Sequence, residues 1–532
     1  MTAAVSSMLE GGPGILLPRD RDGRIRTFPA GAFDPAGTPR HAPALVLFTS
    51  GSTGAPKGVA LSIDALVASA RATEGLLSGP GRWHLCLPVN HIAGLQVVVR
   101  ALLAGAPPTT PSPQPAGSPA RHPSFDPLRF ADDLSHTLAA AGDDPIYTSL
   151  VPTQLSRVLT VPQAARTLAR TSAVLLGGAS ISPQLLERAE AAGVPVVRTY
   201  GMSETAGGCV YDGLPFPDVD VHIHPDGRII LAGPVLADGY VHVDDQPTTS
   251  GTAAEAPVTL TAIPHHPRLP LPRAPHPIPS PVPDAAGGSA GGPGSRSADE
   301  PGCDPAGASE EGSTLPGGFH GEGPDRFLVT SDLGRWEQEE PGHRPGTPGP
   351  AGHRTRPGPR ARIAVLGRAD DVIVTGGENV SPHEVETALL PVTEPWGFSD
   401  VLVTSREDPE WGEVLVALLV PAETEQAPTD TEQVTREAEQ VSTDVRRAPV
   451  SGSDHDGDGG DGGVDPGVSR PVRAAPDELV AAMRTGLAER GMTGALVPRH
   501  ALLVDALPVK SIGKPDRAAA RALARSSPPA DG

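Results

Sequence analysis

Residues 49–58 read Thr49-Ser50-Gly51-Ser52-Thr53-Gly54-Ala55-Pro56-Lys57-Gly58 and follow directly on an apolar run, 44–49 (ALVLFT). The run predicts a short buried strand, and the stretch after it predicts a loop over 50–58. Glycines let the backbone turn so that successive N–H groups point into one concavity, the hydroxyls add donors, and Lys57 supplies a positive charge. In chemical terms this is a cradle for a pyrophosphate; the competing reading is a plain Gly/Ser turn. It is not a Walker A loop, which needs Gly directly before Lys, where Pro56 stands here. Ser62 then predicts the cap of a helix over 63–74.

Working outward, strand-like runs recur at 172–176, 194–199, 228–232 and 362–366, with helical periodicity between the early ones. That alternation predicts a layered α/β domain. The pattern breaks at 104–124, 241–325, 337–360 and 421–475, which are rich in Pro, Gly, Ser or acidic residues and read as disordered inserts. The run DHDGDGGDGG from Asp454 invites a calcium-loop reading, but its twelfth position is Asp465, followed by Pro466, where a bidentate Glu and a helix are needed. Beyond it, 476–490 predicts an amphipathic helix and 501–505 a strand. Ser381-Pro382-His383-Glu384 reads as a capping box at a helix start.

The net charge of −21 argues against a nucleic-acid partner or an anionic membrane. No window approaches eighteen uninterrupted apolar residues, and the first eighteen residues lack the basic and apolar regions of a leader, so no membrane insertion and a cytoplasmic location are expected. The three cysteines (Cys86, Cys209, Cys303) form no CxxC pair, which fits a reducing compartment. Of 42 basic residues only Lys57, Lys510 and Lys514 are lysine. A chain that writes nearly every cation as Arg invites a chemical reason for each Lys, because a compact ammonium fits between phosphate oxygens where a planar guanidinium does not.

TSGSTGAPKG resembles the phosphate-loop signature of the acyl-adenylate-forming superfamily, and five further stretches resemble that superfamily's signatures in its order. They are 87–95 (LPVNHIAGL), 200–205 (YGMSET), 330–335 (TSDLGR), 367–386 (GRADDVIVTGGENVSPHEVE) and 507–517 (LPVKSIGKPDR). Ser203 stands for the usual Thr and Ser331 for the usual Gly. The resemblance implies a large N-terminal layered α/β domain, shortened at its start, over 1–367. A small mobile C-terminal α+β domain over 368–532 would follow. It also implies ATP and CoA as cosubstrates and Mg²⁺ as cofactor.

The roles that the resemblance implies fall on named residues. ATP would be bound by Thr49, Ser50, Gly51, Ser52, Thr53, Gly54 and Lys57, by Gly177, Gly178 and Ala179, by Tyr200, Gly201, Ser203 and Thr205, and by Asp332 and Arg368 at the ribose. Glu204 would hold Mg²⁺, His91 would sit near the acyl pocket, and Asp370 would be the hinge. Gly376 and Gly377 would let a pantetheine arm pass. Lys514 would stabilise the charge that gathers as a carboxylate attacks the α-phosphate; Lys510 is open between a surface cation and a role.

The early phosphate loop and the run 199–215 (TYGMSETAGGCVYDGLP) resemble the short actinobacterial o-succinylbenzoate–CoA ligases of menaquinone biosynthesis, with Gly207 and Gly208 leaving room for an aromatic acyl group. That implies 2-succinylbenzoate as the acid. A ligase for another aryl or short acyl acid and a non-catalytic nucleotide-binding relative are the alternatives, and homo-oligomerisation is left open.

Overall fold

The structure, a computed structural model, describes residues 1–17, 25–28, 43–49, 57–112, 125–244, 259–267, 316–321, 325–337, 361–409, 411–422, 472–509 and 515–526. They form two compact units, one within Met1–Asp371 and one built from Val372–Lys510 and Pro515–Gly532.

In the first unit the strands Arg82–His84, Ile146–Leu150, Ala173–Gly177 and Val196–Met202 lie side by side and parallel. Gly207–Tyr211 and Leu214–Pro215 extend this sheet antiparallel. Successive strand residues face opposite sides. Tyr147 and Leu175 therefore enter one core with Leu66 and Leu95 from helices Ile63–Leu76 and Ile92–Leu103. Ile146, Val174 and Leu176 enter another with Leu134, Leu155 and Leu185 from helices Pro127–Ala140, Pro152–Thr160 and Pro183–Ala191. A strand covered on both faces favours apolar side chains at successive positions, as in Ala173–Gly177, which is buried through Leu176. The layered α/β architecture is as expected. Ser62 caps its helix as predicted, its hydroxyl accepting from the Ala65 amide at 3.2 Å, and Asp126, not singled out in the sequence, caps a helix that opens on Pro127.

A second sheet runs Thr259–Ile263, Gly239–Asp244, Lys57–Leu61, Leu45–Thr49, Gly14–Leu16, Arg26–Phe28. Leu45–Thr49 pairs antiparallel with Lys57–Leu61, with Thr49 opposite Lys57. Lys57 and Gly58 thus belong to a strand rather than to the predicted loop, because KGVAL alternates and Val59 and Leu61 share a core with Leu45 and Leu47. The connection 50–56 lies outside the described residues.

Three insert assignments need correction; within 421–475, Arg473–Ala474 pairs antiparallel with His500–Leu503. Within 241–325, Thr259–Ile263 pairs along Gly239–Asp244, and Gly318–His320 pairs with Phe327–Glu337. Leu260 is fully buried beside Val46, Ala60 and Val241, and Phe319 is buried as well. Within 104–124, Thr109 is fixed by backbone bonds to Trp83 and Leu85 at 3.0 and 2.8 Å. Backbone pairing with neighbouring strands outweighed the local composition. The stretches 113–124, 268–315, 338–360 and 423–471, with the Asp454 run, lie outside the described residues.

A third sheet places Asp220–Ile223, Arg228–Ala232, Phe327–Glu337 and Gly318–His320 in order, with Arg362–Arg368 on Phe327–Glu337. The second unit is α+β. Gly412–Pro421 pairs with Phe398–Asp408 and, in parallel, with His500–Leu503. Leu415, Ala417 and Leu419 pack with helices Pro382–Thr393 and Asp477–Ala488, while Val416 and Leu418 pack with Ala520 and Ala524 of Arg517–Ser526. Arg517 clamps this unit: it donates to both Glu386 carboxylate oxygens, at 2.9 and 3.2 Å, and to the Val403 carbonyl at 2.8 Å. Ser381 does precede the helix that begins with Pro382, but its side chain makes no cap bond, so the predicted box is not closed.

Leu260→Ala opens a cavity in the core of the second sheet and should cost about 2–5 kcal/mol, read as a lower urea midpoint for the first unit. An unchanged midpoint would contradict the placement of this segment in the sheet.

Candidate active site

The strand Val196–Met202 ends in a 3-10 turn, Ser203–Thr205, after which Ala206 turns left-handed at φ 50°. Thr205 is buried, and its hydroxyl is engaged by backbone: it accepts from the Met202 amide at 2.9 Å and lies 2.7 Å from the Gly207 carbonyl. A Cβ at Gly201 would strike the Gly207 carbonyl, so the sharp return at this turn requires glycine there. Gln96, buried on the helix Ile92–Leu103, donates to the Ala206 carbonyl at 2.7 Å and braces the turn from below.

Two groups of predicted residues come together around this turn. In the first, the Tyr200 hydroxyl donates to an Asp332 carboxylate oxygen at 2.9 Å. Asp332 is fixed by its own amide, which donates to the Thr330 hydroxyl at 3.1 Å. Arg368 is the cross-strand partner of Asp332, with the guanidinium 4.0 Å from that carboxylate and 2.8 Å from Asp370. Burial of the Tyr200 hydroxyl, and then the Asp332 charge, push its pKa well above the ordinary value. The phenol therefore stays a donor. Arg368 is half exposed, and the pair presents a carboxylate and a cation side by side, suited to a diol such as a ribose.

In the second group, the Tyr240 hydroxyl donates to Glu204 Oε1 at 3.1 Å, and Lys57 Nζ lies 5.3 Å from the Tyr240 ring centroid. The Ala237 amide also donates to the Glu204 carbonyl, at 2.8 Å. A lysine and a carboxylate thus both contact one tyrosine.

The remaining predicted residues fall as follows. Thr49 ends its strand, and Ser50, Gly51, Ser52, Thr53 and Gly54 lie outside the described residues. Gly177 ends Ala173–Gly177, with Gly178 and Ala179 after it. Ser203 opens the 3-10 turn, and His91 precedes the helix Ile92–Leu103. Gly207 faces Gln96 and Gly208 faces Tyr211, so both pack against protein. In the second unit, Gly376 and Gly377 make the turn between Ile373–Thr375 and Glu378–Val380, at φ 58° and 84°. The Trp411 indole lies where a Cβ at Gly376 would go, 2.6 Å from its Cε3, and Arg499 stacks 4.1 Å over that indole. Lys510 and Lys514 lie outside the described residues.

Residues 16–252 match the family described as AMP-binding enzyme. The chain is 34% identical over 377 residues to a probable 2-succinylbenzoate–CoA ligase of Mycobacterium tuberculosis, covering 71% of this chain and 70% of that protein. The chain belongs to the AMP-binding enzyme family. It is an AMP-forming acid–CoA ligase. A 2-succinylbenzoate–CoA ligase of Enterococcus faecalis is 25% identical over 401 residues, 71% of this chain and 59% of that one. The solved structure of ATP-bound MatB from Rhodopseudomonas palustris superposes with a TM-score of 0.52 at 18% identity, covering 91% of this chain and 69% of that one, a likeness of fold.

An AMP-binding enzyme of this kind uses ATP, and the second group fits magnesium. Among the described residues no three His, Cys, Asp or Glu side chains gather as a complete metal cage. Magnesium does not ask for one: it takes one or two carboxylates and completes its shell with water and phosphate oxygens, and Glu204 offers one such carboxylate. Among the described residues no helix is long and apolar enough to cross a membrane. Tyr240, Gln96 and Trp411 were not singled out by sequence reasoning. Tyr240 had one available signal, being one of four tyrosines in the chain.

The raised Tyr200 pKa fixes the sign of a pH effect. In the unfolded chain the phenol ionises near 10; in the fold it holds its proton to higher pH, so its contribution to stability is intact below about 10 and is lost above it. Tyr200→Phe, compared with the wild type, should therefore lose stability at pH 8 and regain ground above pH 10, by up to about 1.4 kcal/mol per pH unit. Parallel stability curves from pH 8 to 11 would contradict burial of this hydroxyl.

Proposed function

We propose that the chain is an o-succinylbenzoate–CoA ligase of menaquinone biosynthesis. A carboxylate oxygen of 2-succinylbenzoate attacks the α-phosphorus of ATP, the bond to the β-bridging oxygen breaks, and pyrophosphate leaves with that electron pair. The CoA thiol then attacks the acyl carbon of the acyl-adenylate, AMP departs, and the thiol proton is released. The observation that carries the choice of acid is the likeness to the mycobacterial relative, 34% identical over 377 residues.

The roles follow from charge and placement. Asp332 and Arg368, held by Tyr200 and Asp370, bind the ribose hydroxyls. Lys57 and the 50–56 connection receive the phosphates, and Glu204 would hold a magnesium ion that would neutralise part of their charge. Lys514 supplies an ammonium where two anions meet in the first step. Such a donor acts more strongly in the transition state than in the ground state, and one is worth on the order of 3–4 kcal/mol. The Gly376–Gly377 turn serves the second step, where a pantetheine arm must pass beside backbone.

Incubation with 2-succinylbenzoate, ATP and CoA should yield the CoA thioester, AMP and pyrophosphate. Lys514→Ala should slow acyl-adenylate formation by roughly 10²–10³ while leaving thioester formation from supplied acyl-adenylate largely intact. Equal loss of both half-reactions would contradict the assignment of Lys514 to the first step alone.

A further inference from the structure

We propose that Tyr240 is a positioning residue that sets the Glu204 carboxylate for the magnesium ion of the nucleotide. The inference rests on the reading of Glu204 as the metal carboxylate and deepens it. Tyr240 stands second in the strand Gly239–Asp244, opposite Val59 on one side and Ile263 on the other, so its backbone is held by two ladders. Its ring meets Phe319 edge-on, with centroids 5.2 Å apart, and lies under the Lys57 ammonium. These contacts fix the direction of the hydroxyl, which donates to Glu204 Oε1 at 3.1 Å.

The same short segment also grips the Glu204 backbone through the Ala237 amide. From the other side, Gln96 holds Ala206 in its left-handed conformation. Glu204 is thus restrained at its peptide, at its turn and at one carboxylate oxygen. A carboxylate oriented in this way meets a cation without first giving up rotational freedom, and outer partners of metal ligands typically govern 10–100-fold in metal affinity or activity. Phe319 and Ile263 belong to the two strands found inside the Pro/Gly-rich 241–325 stretch, which therefore supports the nucleotide site.

Tyr240→Phe removes the donor and keeps the ring. ATP binding is measured by calorimetry with Mg²⁺ and with EDTA, for the wild type, Tyr240→Phe, Glu204→Gln and the double variant, alongside thermal unfolding. Tyr240→Phe should weaken binding about 10-fold or more with Mg²⁺ and leave it unchanged with EDTA, with the protein still folded at the temperature of the binding measurement. The double variant should bind no more weakly than Glu204→Gln. Wild-type affinity in Tyr240→Phe, an equal loss with EDTA, or additive losses in the double variant would each overturn the proposal while leaving Glu204 in place. Unchanged Mg²⁺-dependent binding in Glu204→Gln would instead overturn the reading of Glu204, and the proposal with it.

Discussion

The hydrogen bond from the Tyr200 hydroxyl to the Asp332 carboxylate is the tie on which the chemistry of the first unit depends. Tyr200 lies in the last parallel strand of one sheet and Asp332 in the long strand of another, and the two sheets share no strand. Because Arg368 is the cross-strand partner of Asp332, the bond places a cation and a carboxylate together. Because Glu204 follows Tyr200 by four residues through a turn with no slack, it also locates the carboxylate expected to meet magnesium. An exposed bond of this kind would be worth little; a buried hydroxyl against a carboxylate is charge-assisted and costly to leave unmade.

The site is economical in cations. Lys57 stands at the head of a strand, above an aromatic ring, and the other two lysines close the chain's last signature. Arginine does the structural work instead: Arg517 joins a helix, a strand and the segment after Lys514 within the second unit, and Arg368 pairs with the carboxylates around it. This division matches the chemistry, since a planar fork suits a fixed carboxylate and a compact ammonium suits a phosphate that must arrive and leave.

Much of this was legible in the sequence where a short local pattern determines the outcome. Strand-like runs such as 172–176, alternating with helical patterns, announced a layered α/β domain, Ser62 announced its helix, and ordered signatures pointed to Tyr200, Glu204, Asp332 and Arg368. What stayed hidden was set by partners outside the local stretch. Thr259–Ile263 has five residues and a Pro-rich setting, and it becomes a strand because Gly239–Asp244 lies beside it. Tyr240 carries no motif; its meaning comes from Glu204, thirty-six residues away in the chain and 3.1 Å away in the fold. Ser381 shows the converse, since its capping pattern in the sequence is not matched by a side-chain cap bond in the fold.

The most direct test of the account is exchange of radiolabelled pyrophosphate into ATP, which requires the chain to form the acyl-adenylate reversibly. Exchange that depends on 2-succinylbenzoate and on Mg²⁺, and that other aryl acids support poorly, is the predicted result. Tight ATP binding with no exchange for any acid would contradict it and leave a nucleotide-binding protein without the ligase reaction.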